Sequence, residues 1–430
     1  REKYQVLQAT LVDTWASTAA GAFALSENNL YTTNAFIDYL SHLTPDGVMA
    51  FTRWGFKPPR ESLRVVALAR AALSQMGEND PAQHVMVIRE DLQKINGWGA
   101  QDTILISRRA FSAGDVDRVR EALVTAKMEG VYLPGTDRAT PFRDLLETSN
   151  PSAFYDNYQF DVRPVSDDRP FFFYTVQARD LWSFLTTSSR ASADCKINSA
   201  LPILFGVVGG ISIATWVILD LPPVVLGHRL PAEKGAIRAL LYFLCIGAGY
   251  ILIQVALIQK FVLFLGHPTY ALTVIIFSML VSSGLGSFFS KKFVKGSMTR
   301  LRNFLLLVAI MILILAFIVT PVTESGVGLP LICKFLIAVL VIAPPGFAMG
   351  MPFPSGLGRL EAIMPQSVRW AWAINAAASV LGSAGAIFLA IYLGLQDTLI
   401  VGGLFYLAAL LAALSSPLGK KYIPGIALGQ

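Results

Sequence analysis

Residues 238–258 read RALLYFLCIGAGYILIQVALI, a stretch charged only at its first position and interrupted deep inside by a lone polar side chain, Gln254. At 1.5 Å of rise per residue, a helix of this length crosses the roughly 30 Å hydrocarbon core of a bilayer. Working outward, runs of the same character recur at about 199–219, 270–289, 303–322, 329–350, 370–394 and 398–415. The reading is an all-α polytopic membrane bundle of about seven helices over 198–430, since no soluble core absorbs so many all-round apolar helices. Gly and Pro inside the runs, as in Ala343-Pro344-Pro345-Gly346, are tolerated in such bundles.

Charge divides at the same place. Residues 1–197 hold 21 Lys and Arg against 24 Asp and Glu, whereas residues 198–430 hold 14 against 5. The overall +6 therefore belongs to the membrane half. No basic stripe sits on the soluble half, which argues against nucleic acid as a partner and leaves the lipid bilayer as the expected one. Arg229, Lys234, Arg238, Lys291, Lys292, Lys295, Arg300, Arg302, Arg359, Arg369, Lys420 and Lys421 fall on one side of the bundle, and only Lys260 and Lys334 on the other. By the positive-inside rule the C-terminus is cytoplasmic. With seven crossings, the soluble domain lies on the extracytoplasmic side of a bacterial-type inner membrane.

The first 150 residues alternate strand and helix signals, the pattern of an α/β sheet. Tyr4–Val12 reads as a buried parallel strand, Thr33–Leu43 as a helix and Pro45-Asp46-Gly47 as a turn. Val48–Trp54, His84–Arg89 and Thr103–Ser107 read as strands. Glu61–Met76 reads as an amphipathic helix, and Asp115–Lys127 as a helix capped by Ser112. Residues 130–197 read as irregular, with 151–197 an aromatic and acidic linker. Cys195, Cys245 and Cys333 form no CxxC or Cys/His cluster, so neither a disulfide framework nor a metal site is expected. The chain opens on Arg1 without a leader, and reads as a piece of something longer.

Two sets of motifs carry a resemblance. Tyr4–Trp54 contains Asp13-Thr14-Trp15-Ala16 after a strand, then Leu30-Tyr31, a helix, and Leu43-Thr44-Pro45-Asp46-Gly47. In the membrane half stand GHPTYALTVIIFSMLVSSGLGS (266–287), GMPFPSGLGRL (350–360) and WAWAINAAASVLGS (370–383). Together these resemble the integral-membrane relatives of spermidine synthase, in which a synthase-like domain is fused to membrane helices. The resemblance implies that residues 1–150 are the C-terminal half of a Rossmann-like class I methyltransferase fold. It also implies aminopropyl transfer from decarboxylated S-adenosylmethionine, as co-substrate, to a polyamine. Asp13 then matches the general base, at a strand tip where α/β sheets bind ligands. The family's second carboxylate is Ala16 here, and no Gly-rich nucleotide turn occurs, so the cofactor-binding residues are expected upstream of residue 1. These departures keep two other readings open: a catalytically inactive accessory subunit of a larger membrane complex, and a polyamine or small-solute transporter.

Each candidate residue has a plainer alternative. Asp13 also reads as a strand-end turn cap. Trp15, Phe23, Tyr31 and Trp54 read as a pocket wall or as core. Tyr155, Asp156, Asp161, Asp167, Asp168 and Arg169, ahead of Phe171-Phe172-Phe173, read as a cation site or as a structured linker in which Arg169 pairs with a carboxylate. His267 reads as a relay or an interfacial hydrogen-bonder, and Asn375, Ser379 and Ser383 as a packing stripe beside Gly382 and Gly385. Lys334 reads as a snorkelling cation. Gly350-Met351-Pro352-Phe353-Pro354 reads as the end of the fifth helix.

Overall fold

The computed structural model describes residues 2–12, 27–90, 100–180 and 234–419, with scattered positions between 206 and 217. The chain divides into two compact units, Arg1–Ile203 and Leu204–Gln430.

The first unit is built on a five-stranded mixed sheet. The strands are β1 (Tyr4–Thr10), β2 (Leu43–Trp54), β3 (Val85–Arg89), β4 (Gln101–Ser107) and β5 (Glu129–Tyr132), in spatial order β1-β2-β4-β3-β5. β1 and β2 run parallel, joined across helix α1 (Thr33–Ser41); the remaining pairings are antiparallel. Helices α2 (Glu61–Gln75), α4 (Pro141–Glu147) and α5 (Pro151–Asn157) contribute with α1 to the core on one face of the sheet. Helix α3 (Ala113–Ala126) packs through Val116 and Leu123 on the other, against Met86 and Ile88. Its start follows the sequence: Ser112 accepts from the Asp115 backbone while the Asp115 carboxylate reaches back, a capping box.

Several local expectations are corrected. Among the described residues β1 is an edge strand paired on one side only, and its side chains are mostly exposed rather than buried. Pro45-Asp46-Gly47 forms no chain-reversing turn. It bulges out of β2 where pairing jumps from Tyr4 opposite Leu43 to Val6 opposite Val48. α2 is buried nearly all round through its first nine residues, because the segment beyond residue 140 covers the side that would otherwise face water. That segment is not irregular throughout: it holds α4 and α5, and Val162, Val165, Phe172 and Phe173 belong to the sheet core.

The second unit is a bundle of α6 (Ala236–Leu265), α7 (Pro268–Val294), α8 (Met298–Ser325), α9 (Leu331–Met349), α10 (Pro352–Ile363), α11 (Val368–Tyr392) and α12 (Leu395–Ser415). With α9 and α10 taken as one crossing, six spans among the described residues are long and apolar enough to cross a membrane, so the architecture is that of a multi-pass membrane protein. The span expected at 199–219 lies largely outside the described residues. α6 is the central helix, packed on α11 and α12, while α7 lies against α9. The 350–354 motif ends α9, as expected, at Met349, and a further helix begins at once at Pro352, so the motif is also a joint. Pro352 has no N–H to continue the ladder, and a side chain on Gly350 would sit 2.0 Å from the Ser283 carbonyl oxygen.

Candidate functional site

Along β2 the two-residue period puts Met49, Phe51 and Arg53 on the core face, so an arginine stands where an apolar side chain belongs. It is 1% exposed. A buried guanidinium demands a carboxylate and further acceptors. Glu61, in the first turn of α2, meets that demand: its Oε2 accepts from Arg53 Nη2 at 2.7 Å and from Nε at 3.1 Å. Arg53 Nη1 donates to the Tyr31 hydroxyl at 3.2 Å, which itself donates to the Val12 carbonyl at 3.4 Å. Aromatic rings close the cage. The guanidinium carbon lies 4.9 Å from the ring centre of Phe173, 5.2 Å from Tyr31 and 5.8 Å from Phe172. Tyr31 stacks on Phe172 at 4.5 Å. This cage occupies the C-terminal ends of the two parallel strands, where open α/β sheets take their ligands.

Two further arginines of α2's start extend it. Arg64 is buried, and its guanidinium donates to the carbonyls of Phe172 and Tyr174 at 2.6 Å each and lies 3.4 Å from the Asp161 carboxylate. Burial pushes it down to about 10, against the pull of Asp161. Arg60 lies over the rings of Phe56 at 4.2 Å and Phe160 at 5.0 Å. The triple-phenylalanine run is thus held by its own backbone carbonyls as well as by its rings.

The expected site residues separate. Asp13 and Trp15, with Ala16 and Phe23, lie outside the described residues. Tyr31 is in the cage wall and fully buried. Asp167 accepts from the Thr32 hydroxyl at 2.5 Å, one residue from Tyr31, and its backbone N–H donates to Asn34 Oδ1 at 3.3 Å. Asp168 is half-buried beside it. Tyr155 is buried core, its carbonyl accepting from Gln177 Nε2 at 3.2 Å; burial pushes its phenol up to about 12. Asp156 is exposed and pairs with Arg163, which also meets Asp161 at 3.4 Å. Arg169 reaches Asp161 at 3.8 Å, the pairing the plainer reading anticipates. Sequence reasoning did not single out Arg53, Arg60, Glu61 and Arg64. The available signal was three arginines interleaved with an apolar strand and helix, without acidic partners at helical spacing except Glu61.

In the bundle, Asn375 Nδ2 donates to the Phe243 carbonyl at 2.9 Å and the Ser379 hydroxyl to that of Gly247 at 3.4 Å, so the stripe ties α11 to α6. Ser383 instead bonds within its own helix, and Gly385 meets open space. His267 caps α7, its Nδ1 accepting from the Thr269 N–H at 3.1 Å. Lys334 lies 5.7 Å above the Phe264 ring. Among the described residues no three His, Cys, Asp or Glu side chains gather to hold a metal ion. No family model, curated protein or solved structure matches the chain.

Proposed function

We propose that this chain is a membrane-anchored relative of the spermidine synthases that serves as a non-catalytic accessory subunit of a larger membrane complex. One observation carries the reading. A carboxylate and three aromatic faces at the strand ends form the chemistry that would hold a polyamine's ammonium group, and Arg53 of the chain itself sits in that place. Two further carboxylates with a proposed polyamine role also have partners within the chain, Asp167 in the Thr32 hydroxyl and Asp156 in Arg163. The β1-α1-β2 parallel unit, followed by strands of reversed direction, supports the doubly-wound half-domain reading. The clustering of Lys and Arg at one end of the spans supports a cytoplasmic C-terminus in the bacterial inner membrane.

The experiment is purification of the full-length protein in mild detergent, followed by two measurements: the stoichiometry of co-purifying subunits, and aminopropyl transfer from decarboxylated S-adenosylmethionine to putrescine or spermidine. Stoichiometric partners without transfer support the accessory reading. Transfer that is abolished by Asp13→Asn overturns it in favour of the second reading, a membrane-bound aminopropyltransferase with a polyamine as substrate, which the place of Asp13 in the sequence, three residues after the end of β1 at Thr10, favours. Polyamine uptake by proteoliposomes would support the transporter instead.

A further inference from the structure

A cavity of about 270 Å³ opens at the end of the bundle where Lys and Arg gather. Its wall comes from the last turns of α7 (Ser290, Lys291, Val294), from Gly296 in the loop that follows, and from α10 (Pro354, Ser355, Gly358, Arg359). Two cations line it and, among the described residues of its lining, no carboxylate. Arg359 is buried and fixed there, Nη1 donating to the Gly296 carbonyl at 2.6 Å, Nε and Nη2 to that of Leu418 at 2.9 and 2.6 Å. Arg359 is thus a rigid positive charge rather than a solvated one. Lys291 is exposed and lines the cavity. Ser355 contributes a buried hydroxyl with no hydrogen-bond partner among the described residues. It stands in the first turn of α10, whose dipole also favours an anion. Val294, Ala362 and Ile363 make the remaining wall apolar.

We infer that this cavity binds a phosphate-bearing anion, with Lys291, Arg359 and the Ser355 hydroxyl as its recognition groups. The volume exceeds many times over the roughly 10–15 Å³ that a single water needs, and lies just below the roughly 300 Å³ where small-molecule pockets begin, which suits a headgroup-sized ligand. Basic pockets between membrane helices at the cytoplasmic face are suited to anionic lipid headgroups, and the apolar wall accommodates the start of an acyl or glycerol moiety. A free phosphate shares the same polar chemistry, so the test separates the two sources.

The full chain in non-ionic detergent is titrated with phosphatidylglycerol, with phosphatidylcholine, with oleate as a carboxylate control, and with inorganic phosphate, following thermal stability and bound lipid by native mass spectrometry. Phosphatidylglycerol is expected to stabilise the protein saturably, and Lys291→Gln and Ser355→Ala each to raise its half-saturation about tenfold, the scale of one charge-assisted hydrogen bond. Lys292→Gln, one residue along α7 and outside the cavity lining, is expected to leave it unchanged. Saturation by inorganic phosphate with the same variant pattern assigns the site to a soluble phosphate. No saturable response to either phosphate ligand overturns the inference. So does an equal loss in K291Q and K292Q, which would show only diffuse attraction to a basic surface, or an equal response to oleate. Size-exclusion profiles of both variants establish that they remain folded.

Discussion

Arg53 and Glu61 form an ion pair closed to water, Nη2 to Oε2 at 2.7 Å, with side chains 1% and 4% exposed. β2 brings the cation and the first turn of α2 the anion, across a loop of six residues (55–60). Removing one partner leaves a buried charge uncompensated, at a cost of about 3–5 kcal/mol. Glu61→Ala is therefore expected to lower the unfolding free energy of the sheet domain by that amount, read from denaturant titration of the full chain in detergent. Arg53→Met with Glu61→Leu is expected to restore most of it. A single variant with wild-type stability would show that the pair is dispensable.

Arg64 is the second such anchor, reaching carbonyls of Asp161, Phe171, Phe172 and Tyr174 more than ninety residues away. Arg64→Met keeps the volume and removes the donors. Buried carbonyls then lose their partners at about 1–3 kcal/mol each where water cannot replace them. The expected result is protease cleavage within 158–177 at a concentration that leaves the wild type intact. Arg118→Met, on exposed α3, is the matched control.

At the start of α3, Ser112→Ala is expected to cost about 1 kcal/mol, the scale of an N-cap. Hydrogen bonds from the Ser112 side chain and backbone, then from Arg118, hold the Asp115 carboxyl down to about 2. A depressed carboxyl contributes stability above its unfolded value near 4, and loses it as pH falls through about 2. The stability difference between wild type and Asp115→Asn should accordingly shrink as pH is lowered from 5 to 2, followed by chemical denaturation at each pH.

Gly286 and Gly350 are where α7 meets the α9–α10 joint. A Cβ on either would lie 2.0 Å from a backbone oxygen, that of Phe347 or of Ser283. Backbone cannot yield as a flexible side chain does, so Gly286→Ala and Gly350→Ala are expected to destabilise the bundle by about 1–3 kcal/mol or more. Gly284→Ala, which meets nothing within 4 Å, should be neutral or slightly stabilising. Thermal unfolding of the detergent-solubilised variants reads the difference.

Sidedness is read by a single cysteine. Val124 on α3 is 81% exposed and faces no partner in the core. In a background with the native cysteines replaced, Val124→Cys is expected to react with a membrane-impermeant maleimide in intact cells, as an extracytoplasmic domain requires. Labelling only after permeabilisation would place the domain in the cytoplasm and reverse the assignment made from the loop charges.

Legibility was uneven, for physical reasons. Length and apolarity suffice for a membrane span, because charged groups in hydrocarbon cost too much to be carried by chance, and the six spans of 236–415 fall where the runs do. The Ser112 cap was legible because its partner is three residues away. The Asp161–Arg169 pairing was legible in kind. What Asp167 does was not, since its partner Thr32 lies 135 residues earlier.

The sequence by itself determined the two-part architecture, the spans and their charge bias, and the local helix starts, all of which follow from composition or from interactions within a few residues. Only the tertiary structure decided the order β1-β2-β4-β3-β5, the edge position of β1, and the burial of α2. It alone decided which groups the carboxylates and aromatics of 151–177 meet. A carboxylate beside aromatic rings has the same pattern in sequence whether it holds a ligand's ammonium or the chain's own guanidinium. Only folding, by bringing Arg53 between Glu61, Tyr31 and Phe173, chooses between them.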